Sequence, residues 1–406
     1  MGTNDSERWL LPAGVEEVLP PRAYQLEGMR RTALDVFDTW GYELVMPPFV
    51  EYVDSLLAGV GADLELQTFK VIDQATGRSM GVRADMTPQV ARIDAHHLAQ
   101  DGVPVRLCYA GTVLHARPEP PFGSRSPLQI GAELYGHDGV DSDLETLALA
   151  MTMLVALAVK DVHFDVGHYG VYRAMMAAVT LDPNEELALF LALQRKAPGD
   201  IVQALQATAC DISTTHVDAF VALAQLYGSR DILVQARNTI AKDVPALNAP
   251  LDELERLADG VAKRLPNIPV NFDLAELRGY RYHAGVVFAG FAPGFGQEVL
   301  RGGRYDQAAE VFGRPRPATG FSADLRVLMA LAQAPSGDGL RGIFAPCEDD
   351  PALRQIIDDL RAQGERVVQA LSGQTDQADG FRCDRKLEKQ SLGWTVVRNI
   401  LGKVNG

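Results

Sequence analysis

The chain has 406 residues, with 53 acidic against 38 basic side chains and a net charge of −15. That length exceeds one comfortable core and predicts two or three domains, and 47% apolar with 22% charged residues is a globular mix. The acidic balance disfavours a general nucleic-acid binder, which needs a basic surface to displace phosphate counterions, and no long Lys/Arg run offers a local one.

Cys108, Cys210, Cys347 and Cys383 are scattered, without a C-x-x-C pair. This reads as reduced thiols in a cytoplasmic protein, with neither a disulfide framework nor a metal site. The segment Met1–Leu11 is polar and lacks the apolar core of a signal peptide. Leu144–Val159 is the most apolar stretch, but it is too short for a membrane span and carries Glu145, so it reads as a buried helix.

In chain order, Arg22–Trp40 carries apolar side chains at helical spacing, Leu26, Met29, Ala33, Val36, Phe37 and Trp40, and predicts a helix with one buried face. Tyr42–Met46 is strand-like and ends at Pro47-Pro48. Phe69–Ile72 and Met80–Arg83 form a predicted hairpin about a turn at Ala75–Gly77. A helix over Gln89–Leu98 follows, with Asp85 or Thr87 as cap and Pro88 at its first position. Val105–Tyr109 and Leu128–Tyr135 read as strands. The helix Leu144–Val159, capped by Ser142 or Asp143, and the strand Val162–Val166 complete this part.

The pattern then becomes helix after helix: Glu185–Gln194, Ile201–Ala209, Thr215–Tyr227, Arg230–Ile240 and Leu251–Lys263. Strand character returns at Val270–Leu274, Ala284–Phe291 and Glu298–Arg301. The expected fold class is therefore α+β, with a mainly antiparallel sheet core over 1–170 and 265–332, a helical insertion over 171–264, and a short α/β domain over 341–406. The Pro- and Gly-containing linker Gln333–Leu340 separates the last domain, in which Gly342–Ala345, Pro351–Ala362 and Arg366–Gln369 read as strand, helix and strand.

Four segments bear chemistry. In the strand 129–133, Gln129, Gly131 and Glu133 share one face, two hydrogen-bonding side chains flanking a glycine that leaves the floor open. Such a span, about 13 Å long, could hold the two polar ends of an amino acid, and equally could be an ordinary polar outer face. Asp85 and Thr87 are able to accept an α-ammonium group, or simply to cap the helix behind them. Arg278 offers charge-assisted bonds to a carboxylate, and Tyr282 or His283 a bond to a ring nitrogen, although a surface loop with half-buried aromatics fits as well. Finally, Gly302-Gly303 sits between a strand and a following helix, where it allows close approach of a ligand or a plain tight turn.

In this order the segments resemble the catalytic core of class II histidyl-tRNA synthetases over roughly residues 8–330. Leu11-Pro12-Ala13-Gly14 through Pro47-Pro48 resembles the first class II motif, which implies a self-dimer. Tyr109-Ala110-Gly111 through Gln129-Ile130-Gly131-Ala132-Glu133 resembles the second, and Gly320-Phe321-Ser322-Ala323-Asp324-Leu325 the third. Arg278–His283 and Gly302-Gly303-Arg304-Tyr305-Asp306 resemble the two histidine-specific signatures.

The resemblance implies a histidine-type pocket of Asp85, Thr87, Gln129, Glu133, Arg278, Tyr282 and His283. Asp85 replaces the family's glutamate, and His283 its second tyrosine. The nucleotide region reads as vestigial. The arginine expected on the α-phosphate falls on His115, the glutamate after it on Arg117, and the arginine expected on the γ-phosphate on Val327, beside Arg326; Arg304 belongs to the same region. Placed cations are what stabilise a phosphoryl transition state, so adenylation is expected to be lost.

A synthetase core with lost adenylation chemistry and a shortened, acidic tail resembles the regulatory subunits of short-form ATP phosphoribosyltransferase, which act in the first step of histidine biosynthesis. That resemblance implies no catalytic residues and no cofactor. It implies a hetero-octamer of four regulatory and four short catalytic chains, feedback by histidine, and no binding of tRNA or membrane. A divergent, working histidyl-tRNA synthetase is the competing reading and needs Arg117 and Arg326 to take over the phosphate contacts. A third reading is a binding module that senses uncharged tRNA or an amino acid, of which the net charge of −15 disfavours the tRNA.

Overall fold

The computed structural model describes residues 9–58, 62–100, 102–117, 124–208, 212–276, 284–306, 312–313, 316–332, 342–373, 383–391 and 393–398. By internal contacts the chain divides into Met1–Gln333 and Ala334–Gly406.

In the first unit the strands are β1 (Glu43–Leu44), β2 (Val50–Tyr52), β3 (Phe69–Ile72), β4 (Ser79–Val82), β5 (Val105–Thr112), β6 (Leu128–Tyr135), β7 (His163–His168), β8 (Tyr227–Gly228), β9 (Val270–Asp273), β10 (Val286–Phe291), β11 (Glu298–Arg304) and β12 (Ala318–Asp324). Nine of them build one sheet in the order β1-β5-β6-β12-β11-β10-β7-β9-β8. The pairs β1–β5 and β7–β9 are parallel and the other pairs of the sheet antiparallel. A small antiparallel sheet, β2-β4-β3, stands beside it. The α+β class with a mainly antiparallel core is thus the observed one.

Alternation along the strands gives the large sheet two unlike faces. Cys108, Ile130, Ala132, Phe164, Val166, Phe288, Phe321 and Ala323 belong to the main core, together with the apolar stripe Leu26, Met29, Ala33 and Phe37 of the helix Arg22–Thr39. The helix Val140–Ala156 packs between the sheet and the helices Arg22–Thr39 and Asn248–Arg264. It is therefore buried on nearly every side, which explains the long apolar run of sequence. The opposite face carries Tyr109, Gly131, Glu133 and Gly320, and a smaller cluster of Met86, Val90, Leu107, Tyr109, Tyr135 and Tyr305 packs there.

Three expectations are corrected. The helix Val140–Ala156 starts earlier than the sequence suggests, after Gly139, because Ser142 and Asp143 do not cap it. Both are drawn inward, to 3% and 1% exposure, onto the Arg304 guanidinium. Gly302-Gly303 is not a turn, since β11 runs through both glycines to Arg304; a Cβ at Gly302 would clash with the Gly320 carbonyl and the Phe288 ring. The helix expected over Gln89–Leu98 is α-helical only over Thr87–Ile93 and widens to a π-helix over Asp94–Leu98. Met86 precedes it without a side-chain cap, while Pro88 does lie in its first turn.

The second unit holds β13 (Ile343–Ala345), β14 (Val367–Gln369), β15 (Arg385–Gln390) and β16 (Gly393–Arg398) in the order β14-β13-β15-β16. The helix Pro351–Ala362 turns Leu353 and Ile357 onto Ile343, Ala345, Leu387 and Trp394. Asp350 accepts Ala352 N–H at its start.

Candidate functional site

The site forms on the polar face of β5, β6 and β12 because small residues there make room for large ones. The strand pairing sets Tyr109 opposite Gly131 and Glu133 opposite Gly320. A Cβ at Gly131 would meet the Tyr109 phenol, and one at Gly320 would fall on the Glu133 carboxylate. The floor that Gly131 leaves is thus filled by the Tyr109 ring rather than open.

Glu133 is the centre, 1% exposed. Its Oε1 accepts the Tyr109 hydroxyl at 2.8 Å and the Thr87 hydroxyl at 3.1 Å, and its Oε2 accepts the Tyr305 hydroxyl. Burial pushes this carboxyl up to about 8, although the three hydroxyls hold it down and the nearby Asp85 adds to the rise. Burial, with the Glu133 charge next in weight, holds the Tyr109 phenol well above its ordinary value.

Asp85 and Gln129 join this centre. Gln129 Nε2 donates to Asp85 Oδ1 at 2.7 Å, and its Oε1 accepts Met86 N–H at 2.9 Å. Asp85 Oδ1 also accepts Thr87 N–H at 2.9 Å. Asp85, Thr87, Gln129 and Glu133 therefore form one connected polar network. Arg278, Tyr282 and His283 lie outside the described residues.

Tyr305 lies in a segment that resembles a histidine-specific signature, but neither it nor Arg83 is among the expected pocket residues. Tyr305 follows the Gly302-Gly303-Arg304 run, and only the extension of β11 through the glycines brings its hydroxyl to Glu133. Arg83, 8% exposed, props the loop from behind by donating to Thr112 O at 2.9 Å and Pro47 O at 2.7 Å.

Of the nucleotide-region residues, His115 and Arg326 both lie close enough to Asp324 to lower its carboxyl, whereas Arg304 stands apart. Arg304 is on the helix side of the sheet, opposite Thr319, and donates to Gly139 O at 2.9 Å and Ser142 Oγ at 2.8 Å beside its ion pair with Asp143. It faces away from Glu133. His115 shares a bridge with Thr68, and its Nε2 lies 3.0 Å from Ala84 O. Arg117 is exposed. Arg326 donates from Nη1 to Glu16 O at 3.3 Å, and Val327 packs on the main core. Asp324, rather than a cation, occupies the strand end here, accepting Leu128 N–H and Arg326 N–H; burial raises its carboxyl.

This sheet and this polar network define a histidyl-tRNA synthetase-like class II core, and the family model described as "Histidyl-tRNA synthetase" matches residues 14–328. A structure from Nostoc sp. PCC 7120 titled as histidyl-tRNA synthetase shares the fold, with TM-score 0.78 at 17% identity over 96% of this chain and 97% of that one.

A second model, "ATP phosphoribosyltransferase subunit HisZ C-terminal domain", matches residues 340–397. ATP phosphoribosyltransferase regulatory subunits of Alkalilimnicola ehrlichii and Thioalkalivibrio sulfidiphilus are 53% and 51% identical to this chain. Each alignment covers 97% of this chain, and 98% and 99% of theirs. A crystal structure from Bacillus halodurans C, titled "ATP phosphoribosyltransferase regulatory subunit/histidyl-tRNA synthetase", superposes with TM-score 0.81 at 25% identity, over 92% of this chain and 95% of that one. The chain belongs to the family of ATP phosphoribosyltransferase regulatory subunits. Among the described residues no helix is long and apolar enough to cross a membrane.

Proposed function

We propose that the chain is a non-catalytic, cytoplasmic subunit that pairs with the short catalytic chain of ATP phosphoribosyltransferase, raises its turnover and transmits inhibition by histidine. The observation that carries this reading is the contrast between two halves of one cleft. The network Asp85–Gln129–Thr87–Glu133 is connected, and buried at all but Asp85, whereas the positions matched to the triphosphate contacts of synthetases hold a histidine 3.0 Å from a backbone carbonyl and a partly buried valine. Without placed cations there is little to stabilise adenylation. The four-plus-four assembly, the self-dimer and the absence of tRNA binding belong to the same proposal.

In this reading Asp85, Thr87 and Gln129 take the α-ammonium side of histidine and Glu133 its ring, with Arg278, Tyr282 and His283 completing the pocket. Arg117 and Arg326 have no nucleotide role. Adding the purified chain to the short catalytic subunit is expected to raise turnover, and histidine to lower it again. Coupling of this kind is typically about 1–3 kcal/mol and reciprocal, so calorimetry is expected to show histidine affinity changing by the same factor when the partner is present. Equal affinity with and without the partner removes the coupling. Histidine-dependent exchange of pyrophosphate into ATP restores the synthetase reading.

A further inference from the structure

Two of the cleft residues depend on one short helix. Thr87 opens the helix Thr87–Ile93, and Asp85 stands just ahead of it. Seven residues are too few to hold a helix by themselves. This one also starts after Met86 without a side-chain cap and widens into the π-helix Asp94–Leu98. Its pose is therefore set by what grips it from outside. On one side Val90 and Ala91 are anchored in the apolar cluster with Met86, Leu107 and Tyr109.

A second grip is polar, and it converges on one carboxylate. Gln89 and Arg92 are three residues apart, which puts them on one helix face, and both donate to Glu51 on β2. Arg92 makes a two-pronged ion pair, Nη2 to Oε1 at 2.6 Å and Nε to Oε2 at 3.2 Å. Gln89 Nε2 donates to Glu51 Oε1 at 2.9 Å and to Pro48 O at 2.8 Å. Because both of its partners are acceptors, the amide can point only one way. Its Oε1 is left buried with no partner among the described residues, so the two bonds to Pro48 and Glu51 fix its orientation. The Glu51 and Arg92 side chains are 9% and 21% exposed, which shields the pair from water.

Glu51 reaches the cleft through this helix. At the helix start the Thr87 hydroxyl donates to Glu133 at 3.1 Å and the Thr87 N–H to Asp85 at 2.9 Å, so a shift of the helix disturbs both bonds. We propose that Glu51 is a positioning residue for the amino-acid cleft: by gripping Gln89 and Arg92 it fixes the start of the helix, and with it the pose of Asp85 and Thr87 against Gln129 and Glu133. The proposal rests on the reading of this cleft as a histidine site. A chain that loses the grip spends part of its time in other poses, and its apparent affinity falls by the fraction that still holds the competent one.

The test is calorimetric titration of the full chain with L-histidine in three variants. Glu51→Gln keeps the shape and an acceptor for Gln89 but removes the charge that holds Arg92. Arg92→Met keeps an apolar stem and removes the charge from the other side, and Arg92→Lys returns a cation. Affinity is expected to fall at least about fivefold in Glu51→Gln and Arg92→Met, and to stay within about twofold of the unmodified chain in Arg92→Lys. Hydrogen exchange without ligand gives a second readout. The Met86 and Thr87 amides, which donate to Gln129 and Asp85, are expected to exchange faster in the two weakened variants and not in Arg92→Lys. Circular dichroism checks that each variant folds, and if Glu51→Gln does not, the two Arg92 variants decide. Unchanged affinity in the charge-removing variants, Arg92→Lys as weak as Arg92→Met, or no faster exchange at Met86 and Thr87 overturns the proposal. Failure of histidine to bind the unmodified chain removes the histidine reading instead, and the exchange of those two amides then decides the role of Glu51 by itself.

Discussion

Glu133 sets the chemistry of the cleft, and its titration should be visible in stability. The carboxyl rises from an ordinary 4.5 to about 8 through burial. Between those values the folded chain holds a proton that the unfolded chain has lost. The contribution is full below about 4.5 and is lost as pH rises through 8. Thermal melts from pH 5 to 8.5 are therefore expected to show the unmodified chain losing ground steadily against Glu133→Gln, whose amide does not ionise. A gap between the two that stays constant across this range contradicts a buried, proton-holding Glu133. The same residue marks how far the sequence could be read. Alternation placed Gln129 and Glu133 on one face and the strand over Leu128–Tyr135, because both are local properties of eight residues. It could not show that Tyr109 fills the space over Gly131, because that depends on the register with a strand some 20 residues earlier.

At the scale of elements, Arg304 explains where the sequence reading and the structure part. Ser142 and Asp143 have the composition of a helix cap, and a local reading makes them one. A guanidinium over 160 residues away recruits both instead, and the helix Val140–Ala156 begins one turn earlier. Arg304 is 5% and Asp143 1% exposed, so each is the other's compensation. Arg304→Met strands a buried carboxylate and should cost about 3–5 kcal/mol, read as a lowered urea midpoint, whereas Arg304→Met with Asp143→Leu should recover much of that loss. A single variant as stable as the parent rules out the clamp. Amphipathic helices such as Arg22–Thr39 were legible because their burial follows a period set by the helix itself. The hairpin β15–β16 was not, since Arg385–Gln390 is mostly charged and buries only Leu387 among its six residues.

At the scale of the molecule, the strand order of the large sheet joins segments from both sides of the helical stretch, with β7 bonded to β10 and to β9, and no local pattern announces those neighbours. One edge of that sheet is β1, a two-residue strand with both residues exposed. In the same N-terminal part of the chain, Trp9, Leu19, Tyr24 and Met46 are 81%, 65%, 79% and 80% exposed, and Leu44 and Phe49 nearly half. Several large exposed apolar side chains within some 40 residues of chain that also hold the edge strand are what a covering surface would bury, and single scattered ones would need no explanation. The stretch resembles the first class II motif, and on that resemblance we propose a second copy of the chain as the covering partner. Sedimentation of the purified chain alone is expected to give twice the chain mass, and Tyr24→Asp with Met46→Asp to shift it to the single mass with unchanged circular dichroism. A single-mass species for the unmodified chain at micromolar concentration contradicts the self-dimer. The four-plus-four assembly would then have to be built through the catalytic partner alone.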